Sequence, residues 1–317
     1  MVYFKKAIEQ VVLWIVCVFL FIGILFLPGT TDFETGQGGQ FISASYDYNL
    51  DTHMKNITGF FAYVKANPDL GEFVPGQSYA ERIGGKAWKS LLLIVPTLIL
   101  AYILGVLKGI FDFRMQRRKL NFLGNGTTWL FISMPDLFFI IVTQIGLMYL
   151  YEKGLFFHVT LYGSEKLETY VVGILFLMIY PVFYLANITN VSLQEQQGND
   201  YIRTARSKGT SGMKILFMHI LKNSLPRILA HSNTITLYVL SNLFIVEKLM
   251  NFQGAANGLY DAVLRGTGFK IGLEIMVDGV SAVGYTIFFA SIILVSNLIT
   301  QVFKSLVTPT SQEMNHE

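Results

Sequence analysis

Six long apolar stretches alternate with polar segments along this chain of 317 residues. Each stretch contains, or nearly contains, the roughly 20 apolar residues that an α-helix needs to cross about 30 Å of hydrocarbon. The stretches comprise residues 11–27, 87–107, 128–150, 170–191, 228–246 and 280–303. The pattern predicts an all-α, polytopic membrane protein with six transmembrane helices.

The first stretch resembles a secretory signal peptide in its flanks, because Lys5 and Lys6 precede it. Its apolar run is longer than the roughly 7 to 15 residues of a signal-peptide core, and no Ala-x-Ala cleavage pattern follows it. We therefore expect residues 1–27 to remain as an N-terminal anchor helix.

Basic residues are unevenly distributed between the stretches, and cytoplasmic loops retain positive charge. The loops 108–120 and 192–227 are rich in lysine and arginine, including Lys108, Arg114, Arg117, Arg118 and Lys119 in the first. The loops 151–168 and 251–278 carry only Lys153 and Lys166, and Arg265 and Lys270, respectively. This asymmetry predicts that the first two loops and both termini are cytoplasmic, with the other two loops outside.

The segment 28–86 between the first two stretches is then extracytoplasmic. It is too long for a tight connection, it is richer in acidic than in basic residues, and it contains a glycine-rich run at 35–40. Turns are predicted at 67–69 and 74–76, where proline adjoins asparagine, aspartate or glycine. Two interpretations stay open: a small cap over a pathway, or a partly disordered linker.

The composition supports a membrane protein and excludes several classes of site. Hydrophobic residues make up 52% and charged residues 14% of the chain, against about 25% charged residues in soluble domains. The net charge of +3 is too small to indicate a nucleic-acid partner. The single cysteine, Cys17, rules out an intrachain disulfide, and the five histidines show no metal-binding spacing.

The predicted cytoplasmic loop 192–227 has an internal pattern of its own. Residues 194–207 have helical composition, Gly209 interrupts them, and 213–223 resume with apolar residues at helical spacing. These apolar residues are Met213, Leu216, Phe217, Ile220 and Leu221. The pattern predicts a helix, a glycine turn and an amphipathic helix, which together form an elbow on the cytoplasmic face.

The residues of this elbow resemble those of a known family. Asp200 to Gly209 is similar to the EAA loop of permeases of binding-protein-dependent ABC importers, in the subgroup for oligopeptides, dipeptides and nickel chelates. Arg203 and His219 depart from the general motif in the manner usual for this subgroup. Similar segments are Ser90-Leu91 with Pro96-Thr97 and Gly105, Ser133-Met134-Pro135, and Glu247 with Gly254 and Gly258.

The resemblance implies a type I importer permease, in which the elbow is a coupling helix that sits in a cleft of an ATPase. The residues that would make this contact are Asp200, Tyr201, Arg203, Thr204, Ala205, Arg206, Lys208 and Gly209. The transmembrane domain would then span 87–307, with the coupling loop at 192–227 and a cytoplasmic tail at 308–317. Gln253 lies where the family usually has proline, so that outer loop is expected to differ in geometry from the family pattern.

Further candidates lie in the third stretch and after the fifth. Asp136 and, eight residues on, Gln144 fall near one helix face, beside Ser133 and Pro135, and Pro135 is expected to bend the helix. A carboxylate at membrane depth is costly, so these residues either line a pathway, join packed helices or lie at the interface. Glu247, Gly254 and Gly258 are candidates for an outer mouth, where Glu247 pairs with Lys248 or contacts an external protein.

The sequence therefore predicts a permease subunit of an ATP-driven importer, for peptides by its resemblance, located in the cell membrane. No phosphate-binding loop is present, since Gly84-Gly85-Lys86 is followed by Ala87. The chain itself is thus not expected to be an enzyme or to hold a cofactor; ATP and magnesium would bind two partner ATPase subunits. A second homologous permease and an extracytoplasmic binding protein are the other expected partners, and a homodimer remains an alternative.

Two rival functions make different predictions. A secondary transporter or channel predicts inverted repeats, and no internal repeat is visible in the sequence. A membrane enzyme predicts clustered histidine and carboxylate residues at the membrane face, and the sequence contains no such cluster.

Overall fold

The computed structural model describes residues 2–28, 31–38, 40–116, 121–155, 157–264 and 277–307. The predicted cytoplasmic tail 308–317 and the basic residues Arg117, Arg118, Lys119, Arg265 and Lys270 lie outside the described residues. The chain divides into two compact units. One comprises residues 91–252 with the ends of the chain, and the other comprises residues 4–90 and 253–292.

The first unit contains most of the long helices. In chain order they are the second half of α3 (Tyr79–Met115), a π-helical turn (Phe122–Gly126), α4 (Thr127–Ser133), α5 (Asp136–Glu152), α6 (Leu167–Gln196), α7 (Asp200–Ser207), α8 (Gly212–Ile215), a second π-helical turn (Leu216–Leu221), α9 (Lys222–Ala230), α10 (Ser232–Leu249) and the end of α12 (Gly279–Val307). Four helices of the described chain are long and apolar enough to cross a membrane, or up to six spans if each of two bent pairs is counted as one. A mostly helical membrane fold is confirmed, the count of six transmembrane helices stays a prediction, and short strands in the second unit depart from the all-α expectation.

Two predicted spans are not single helices, and this corrects the sequence analysis. The third stretch, 128–150, is split into α4 and α5, which meet at an angle of 100°. Met134 and Pro135 at the junction are both extended, with ψ of 140° and 137°. The residue before a proline avoids the helical region, and a proline cannot donate to the preceding turn, so the helix ends here instead of kinking.

The fifth stretch, 228–246, is bent by 51° between α9 and α10. His231 is the junction residue and lies outside the regular helical region, with φ of −88° and ψ of 4°. A polar residue therefore lies at the bend of this span.

Small residues bring α3 and α6 into close contact. A Cβ atom added at Gly105 would lie 2.5 Å from the Leu185 Cβ, and one added at Gly109 would lie 2.5 Å from the Thr189 Cβ. The two glycines are one turn apart and so form a continuous small surface, which is the usual way in which membrane helices approach closely. Ala101, Leu185, Ile228 and Ile235 form a buried cluster beside this contact.

The second unit contains α1 (Val2–Leu25), strands β1 (Thr31–Thr35) and β2 (Phe41–Tyr46), α2 (Leu50–Ala66), strands β3 (Glu72–Val74) and β4 (Gln77–Ser78), α11 (Ala255–Leu264), and the first halves of α3 and α12. β1 pairs with β2 and β3 with β4, both antiparallel. Phe60 of α2 packs on Phe26, with ring centroids 4.9 Å apart. His53 Nε2 lies 2.8 Å from the carbonyl oxygen of Gly23, at the end of α1.

The described part of 28–86 thus forms a hairpin, a 17-residue helix and a second short hairpin. The expected turn at 74–76 is present, and Gly76 there adopts φ +86°. The described residues of this segment are therefore folded, and its role as a cap over a pathway stays a prediction. Its position outside the membrane stays a prediction.

Candidate functional site

The predicted elbow is present, with one difference in its first helix. The sequence pattern predicts a helix over 194–207, whereas α6 continues to Gln196 and α7 begins separately at Asp200. Gly198 lies between them with φ +100°, a conformation that favours glycine and ends a helix. The Tyr201 hydroxyl donates to Gln196 Oε1 at 2.8 Å and so bridges the break.

Helix α7 has one buried and one exposed face. Ile202 and Ala205 are buried, whereas Arg203, Arg206 and Lys208 are exposed, as expected. Asp200 and Thr204 are exposed as well, and Tyr201 is half-buried. The buried face joins a cluster with residues of α3, α6, α8 and the second π-helical turn: Ile110, Leu193, Ile215, Leu216 and Ile220. Most of the predicted coupling residues therefore lie on the exposed side of a short helix, but Ala205 lies on the side that is held by apolar packing and is not available for the expected contact.

A Schellman motif ends α7. The Gly209 N–H donates to the Arg206 carbonyl at 2.9 Å, and the Thr210 N–H donates to the Ala205 carbonyl at 3.1 Å. Gly209 adopts φ +72°. An L-residue with a side chain pays about 1–2 kcal/mol in that region, which explains why glycine is at this turn.

The returning helix buries part of the predicted face, with Leu221 partly buried beside it. Ile215, Leu216 and Ile220 are buried, but Met213 and Phe217 are about half exposed, at 47% and 45%. The π-helical turn at 216–221 adds a residue to the local repeat, so the positions that follow it rotate away from an ideal helical face. His219, at the predicted continuation of the motif, is half-buried in this turn.

Polar contacts tie the elbow to α6. The Ser224 hydroxyl donates to the Ser192 carbonyl at 3.1 Å, and both residues are buried. Arg227 of α9 forms an ion pair with Glu195 of α6. The end of α6, α7 and α9 are therefore joined by packing and by hydrogen bonds, as a stiff element requires.

A buried charged junction lies close to the elbow, and the sequence analysis missed it. The Asp112 carboxylate is fully buried; it pairs with Lys108 and accepts a hydrogen bond from the Thr128 hydroxyl at 2.5 Å. Lys108 Nζ also donates to the Gly124 carbonyl at 3.0 Å. The junction fixes α3 to the first π-helical turn and to α4. The available signal was the Lys108–Asp112 spacing of four residues at the end of an apolar stretch.

A second polar cluster lies alongside this junction. The Gln116 amide donates to Asn190 Oδ1 at 2.8 Å, and the Gln194 amide donates to the same oxygen at 3.0 Å. The Asn190 amide in turn donates to Asn125 Oδ1 at 3.4 Å. Three separate segments, α3, α6 and the first π-helical turn, are thus connected through Asn190.

The predicted pathway residues gather at the bend between α4 and α5, except for Gln144. Asp136 is the first residue of α5, and the Asn242 amide of α10 donates to its Oδ2 at 2.5 Å. Ser133 bonds locally to the Trp129 carbonyl at 2.8 Å, and Pro135 is the exposed residue before α5. Gln144 is buried two turns along α5. The polar stripe expected along one helix is therefore divided between a bend and a buried position.

A group of tyrosines on α6 and α10 was not predicted. The Tyr180 hydroxyl donates to the Tyr238 hydroxyl at 3.0 Å, with ring centroids 4.3 Å apart. The Tyr184 hydroxyl lies 3.2 Å from His231 Nδ1, at the bend before α10. Tyr102 of α3 donates to the Ser232 hydroxyl at 2.5 Å. A sequence signal existed in the four-residue spacing of Tyr180 and Tyr184, but their partners are distant in the chain.

The outer-mouth candidates occupy buried positions. Glu247 has no exposed surface, and Gly254 and Gly258 are buried as well. A carboxylate with no exposed surface is not available to contact an external protein without a change of conformation. Lys248, by contrast, is exposed. The role of these three residues at an outer mouth stays a prediction.

The packing role of Gly258 leads to a prediction. A Cβ atom at this position would lie 2.5 Å from Cζ of Tyr285, which is fully buried in the same unit. We expect Gly258→Ala to lower the unfolding temperature of the purified protein, because overpacking costs about 1–3 kcal/mol. Gly59→Ala in α2, where nothing lies within 4 Å, is the control and is expected to be neutral or slightly stabilising. Equal unfolding temperatures for the two variants would contradict the packing role.

Candidate metal ligands do not cluster among the described residues. Across the described ranges, no group of three or more histidine, cysteine, aspartate or glutamate residues is placed to hold a metal ion.

Comparison with known proteins agrees with the elbow and the helical fold. The dipeptide transport system permease protein DppB of Bacillus subtilis (strain 168) is 23% identical over 266 residues, covering 83% of this chain and 80% of that protein. The oligopeptide transport system permease protein AppB of the same organism is 23% identical over 248 residues, covering 74% of this chain and 72% of that protein.

The solved structure of the MetNI methionine ABC transporter, in an inward-facing conformation, has a similar fold. Its TM-score is 0.56 at 13% sequence identity, with 72% of this chain and 96% of that chain covered. Residues 101–310 match the family described as binding-protein-dependent transport system inner membrane component. This match spans α3 to α12 and includes the whole elbow, and the chain therefore belongs to the permease family of binding-protein-dependent transport systems.

Proposed function

We propose that this chain is the membrane-spanning subunit of an ATP-driven peptide importer and that α7 couples it to a separate ATPase. The observation that carries the coupling role is the construction of α7. Its basic face is exposed, its apolar face is packed on α3 and α6, and a Schellman motif fixes its end. Work done by a partner can reach the membrane helices only through a stiff element of this kind.

The substrate class follows from the relatives and from the motif. Two relatives that match most of this chain are named as dipeptide and oligopeptide permeases. Arg203 and His219 take the forms that resemble the peptide subgroup of the EAA loop. Peptides are therefore the proposed cargo.

The proposed assembly contains a second homologous permease, two ATPase subunits and an extracytoplasmic binding protein. ATP and magnesium would bind the ATPase subunits, and this chain would carry out no covalent chemistry. Both termini and the loop 192–227 would be cytoplasmic, with 28–86 outside the cell membrane. Closure of the ATPase pair would push α7, and α6 and α9 would move with it because they are joined to the elbow.

Co-purification tests the ATPase contact directly. The full transport system is expressed with a tag on this chain and purified in mild detergent. Arg203→Glu combined with Arg206→Glu is expected to reduce recovery of the ATPase subunits by about tenfold, which corresponds to ~1.4 kcal/mol of binding energy. Lys153→Glu, an exposed charge reversal at the end of α5, is the control and should leave recovery unchanged.

Uptake of a radiolabelled dipeptide by cells that lack other peptide importers tests the cargo. The wild-type system should restore ATP-dependent uptake, and the double charge reversal should abolish it. Unchanged ATPase recovery in the double variant would contradict the coupling role, and no peptide uptake by the wild type would contradict the cargo.

A further inference from the structure

We propose that a stripe of hydroxyl, imidazole and carboxylate groups on α5, α6 and α10 is the surface over which a peptide passes, with Asp136 receiving its terminal ammonium group. We call this the tyrosine stripe; it consists of Asp136, Tyr180, Tyr184, His231, Tyr238 and Asn242. The identity of the peptide as occupant rests on the proposed function. The inference that this surface faces water does not depend on the proposed function.

Three polar contacts follow one another along the stripe. The Asn242 amide donates to Asp136 Oδ2 at 2.5 Å, and the Tyr180 hydroxyl donates to the Tyr238 hydroxyl at 3.0 Å. The Tyr184 hydroxyl lies 3.2 Å from His231 Nδ1. Asn242 is four residues beyond Tyr238, and Tyr238 is seven beyond His231. These spacings place all three on one face of the helix. The Tyr180 ring also stacks on the Tyr184 ring, with centroids 6.0 Å apart, so the second and third contacts are continuous with each other.

This surface is poorly suited to lipid. Tyr238 is 36% exposed, and Tyr180, Tyr184 and Asp136 are half-buried, so the stripe reaches the surface of the chain. Polar groups that face hydrocarbon are disfavoured at membrane depth. Tyrosine is common where helices leave the membrane, but Tyr180 is near the middle of the 30-residue helix α6. The stripe is therefore expected to face a water-filled cavity.

The length and chemistry of the stripe fit a short peptide. The separation of His231 and Asn242 along the helix corresponds to about 16 Å at the usual rise per residue. An extended peptide spans roughly 3.3–3.6 Å per residue, so about five residues would lie along it. A phenol hydroxyl both donates and accepts hydrogen bonds, and it can bind peptide N–H and carbonyl groups whatever the side chains are.

Asp136 makes one end of the tyrosine stripe chemically different from the other, because it places a carboxylate there. Among the described residues, its Oδ1 is buried and has no hydrogen-bond partner, while its Oδ2 is held by Asn242, so a cation can reach Oδ1 only after a change of conformation exposes it. A carboxylate with an unused acceptor atom at membrane depth is costly unless a cation compensates it. The terminal ammonium group of a peptide is such a cation, and it would bind at this end of the stripe.

Cysteine labelling tests whether the stripe faces water. The single native cysteine allows a clean background, Cys17→Ser. In the reconstituted complex, Tyr238→Cys is expected to react at least ten times faster than Leu237→Cys with a positively charged methanethiosulfonate reagent. Leu237 is also exposed, at 43%, but it lies about 100° around the helix. Binding protein loaded with penta-alanine, together with ATP, should slow labelling of Tyr238→Cys.

The possible outcomes separate the two proposals. Equal labelling at both positions, or no labelling of Tyr238→Cys in any nucleotide state, overturns the stripe and places this face against lipid or another protein chain. If labelling is selective but the Cys17→Ser parent transports no peptide, the proposed function and the peptide as occupant both fail, while the water-lined surface stands.

Conservative variants test contact with the peptide. Tyr180→Phe combined with Tyr238→Phe keeps both rings and removes the hydroxyls, and it is expected to slow penta-alanine uptake at least fivefold. Tyr149→Phe, on the exposed part of α5, is the control and should transport normally. Asp136→Asn is expected to slow uptake of penta-alanine at least tenfold. Uptake at the parental rate by both the double tyrosine variant and Asp136→Asn would overturn the proposal.

Discussion

Gly209→Pro is expected to abolish ATP-driven uptake, with a loss of at least about tenfold, because it destroys the turn that ends the coupling helix. Proline fixes φ near −65°, whereas Gly209 adopts +72°. Proline also lacks the N–H that Gly209 donates to the Arg206 carbonyl. Both halves of the Schellman motif depend on this residue. The measurement is peptide uptake by cells that express equal amounts of the assembled complex.

Gly212→Pro is the matched control, three residues further along the same elbow. Gly212 is the first residue of α8, where the N–H has no acceptor within the helix and proline is favoured. Ser211 before it is already extended, with φ −63° and ψ 147°, as a residue before proline prefers. Uptake by Gly212→Pro should stay near that of the wild type. Full uptake by Gly209→Pro would show that the turn is not needed for coupling.

The sequence predicted the elbow well because its signals are local. The glycine turn at Gly209 and the exposed arginines follow from neighbouring residues, whereas Ala205, which was expected to contact the ATPase, is buried against the elbow. The return helix was predicted less well. Ile215, which the pattern did not include, is buried, and Met213, which it did include, is exposed. The π-helical turn at 216–221 changes the repeat only after these residues, in a way that periodicity cannot show.

The broken spans show a second limit of sequence reasoning. Pro135 predicted a bend, but hydropathy alone cannot distinguish a kinked helix from two helices at 100°. Whether the stretch forms one kinked helix or two helices depends on which groups bind the freed backbone and the Asp136 carboxylate. In the structure, the carboxylate accepts a hydrogen bond from Asn242, which is 106 residues away in sequence. Contacts of this range cannot be read from a single sequence without an alignment.

Helix α6 connects the two parts of the proposed mechanism. Ser192 and Leu193 at its end hold the elbow, and Tyr180 and Tyr184 on the same helix belong to the tyrosine stripe. The helix is continuous from Leu167 to Gln196 despite Pro181 within it. A displacement of the elbow therefore moves the tyrosines directly. This connection gives a physical path by which closure of an ATPase would change the surface offered to a peptide.

Asp112→Leu is expected to destabilise the protein strongly, since it leaves Lys108 without its counter-ion in a junction that is largely buried. Removing one partner of a buried ion pair costs about 3–5 kcal/mol. Lys108 retains partial exposure, at 21% of its side chain, so we expect the lower end of this range. The unfolding temperature of the purified chain should fall by about 5 °C or more.

The double variant Lys108→Met with Asp112→Leu distinguishes charge burial from a general packing defect. Apolar residues of similar size often replace a buried ion pair without loss of stability, so the double variant should unfold at a higher temperature than Asp112→Leu alone. Asp200→Asn removes a carboxylate whose side chain is 94% exposed, from an ion pair with Arg203, and should leave the unfolding temperature unchanged. A double variant that is less stable than Asp112→Leu would mean that Lys108 stabilises the protein chiefly through Gly124 and Thr128, to which it also donates. In that case the junction would act by holding the first π-helical turn against α3, and the ion pair would be secondary.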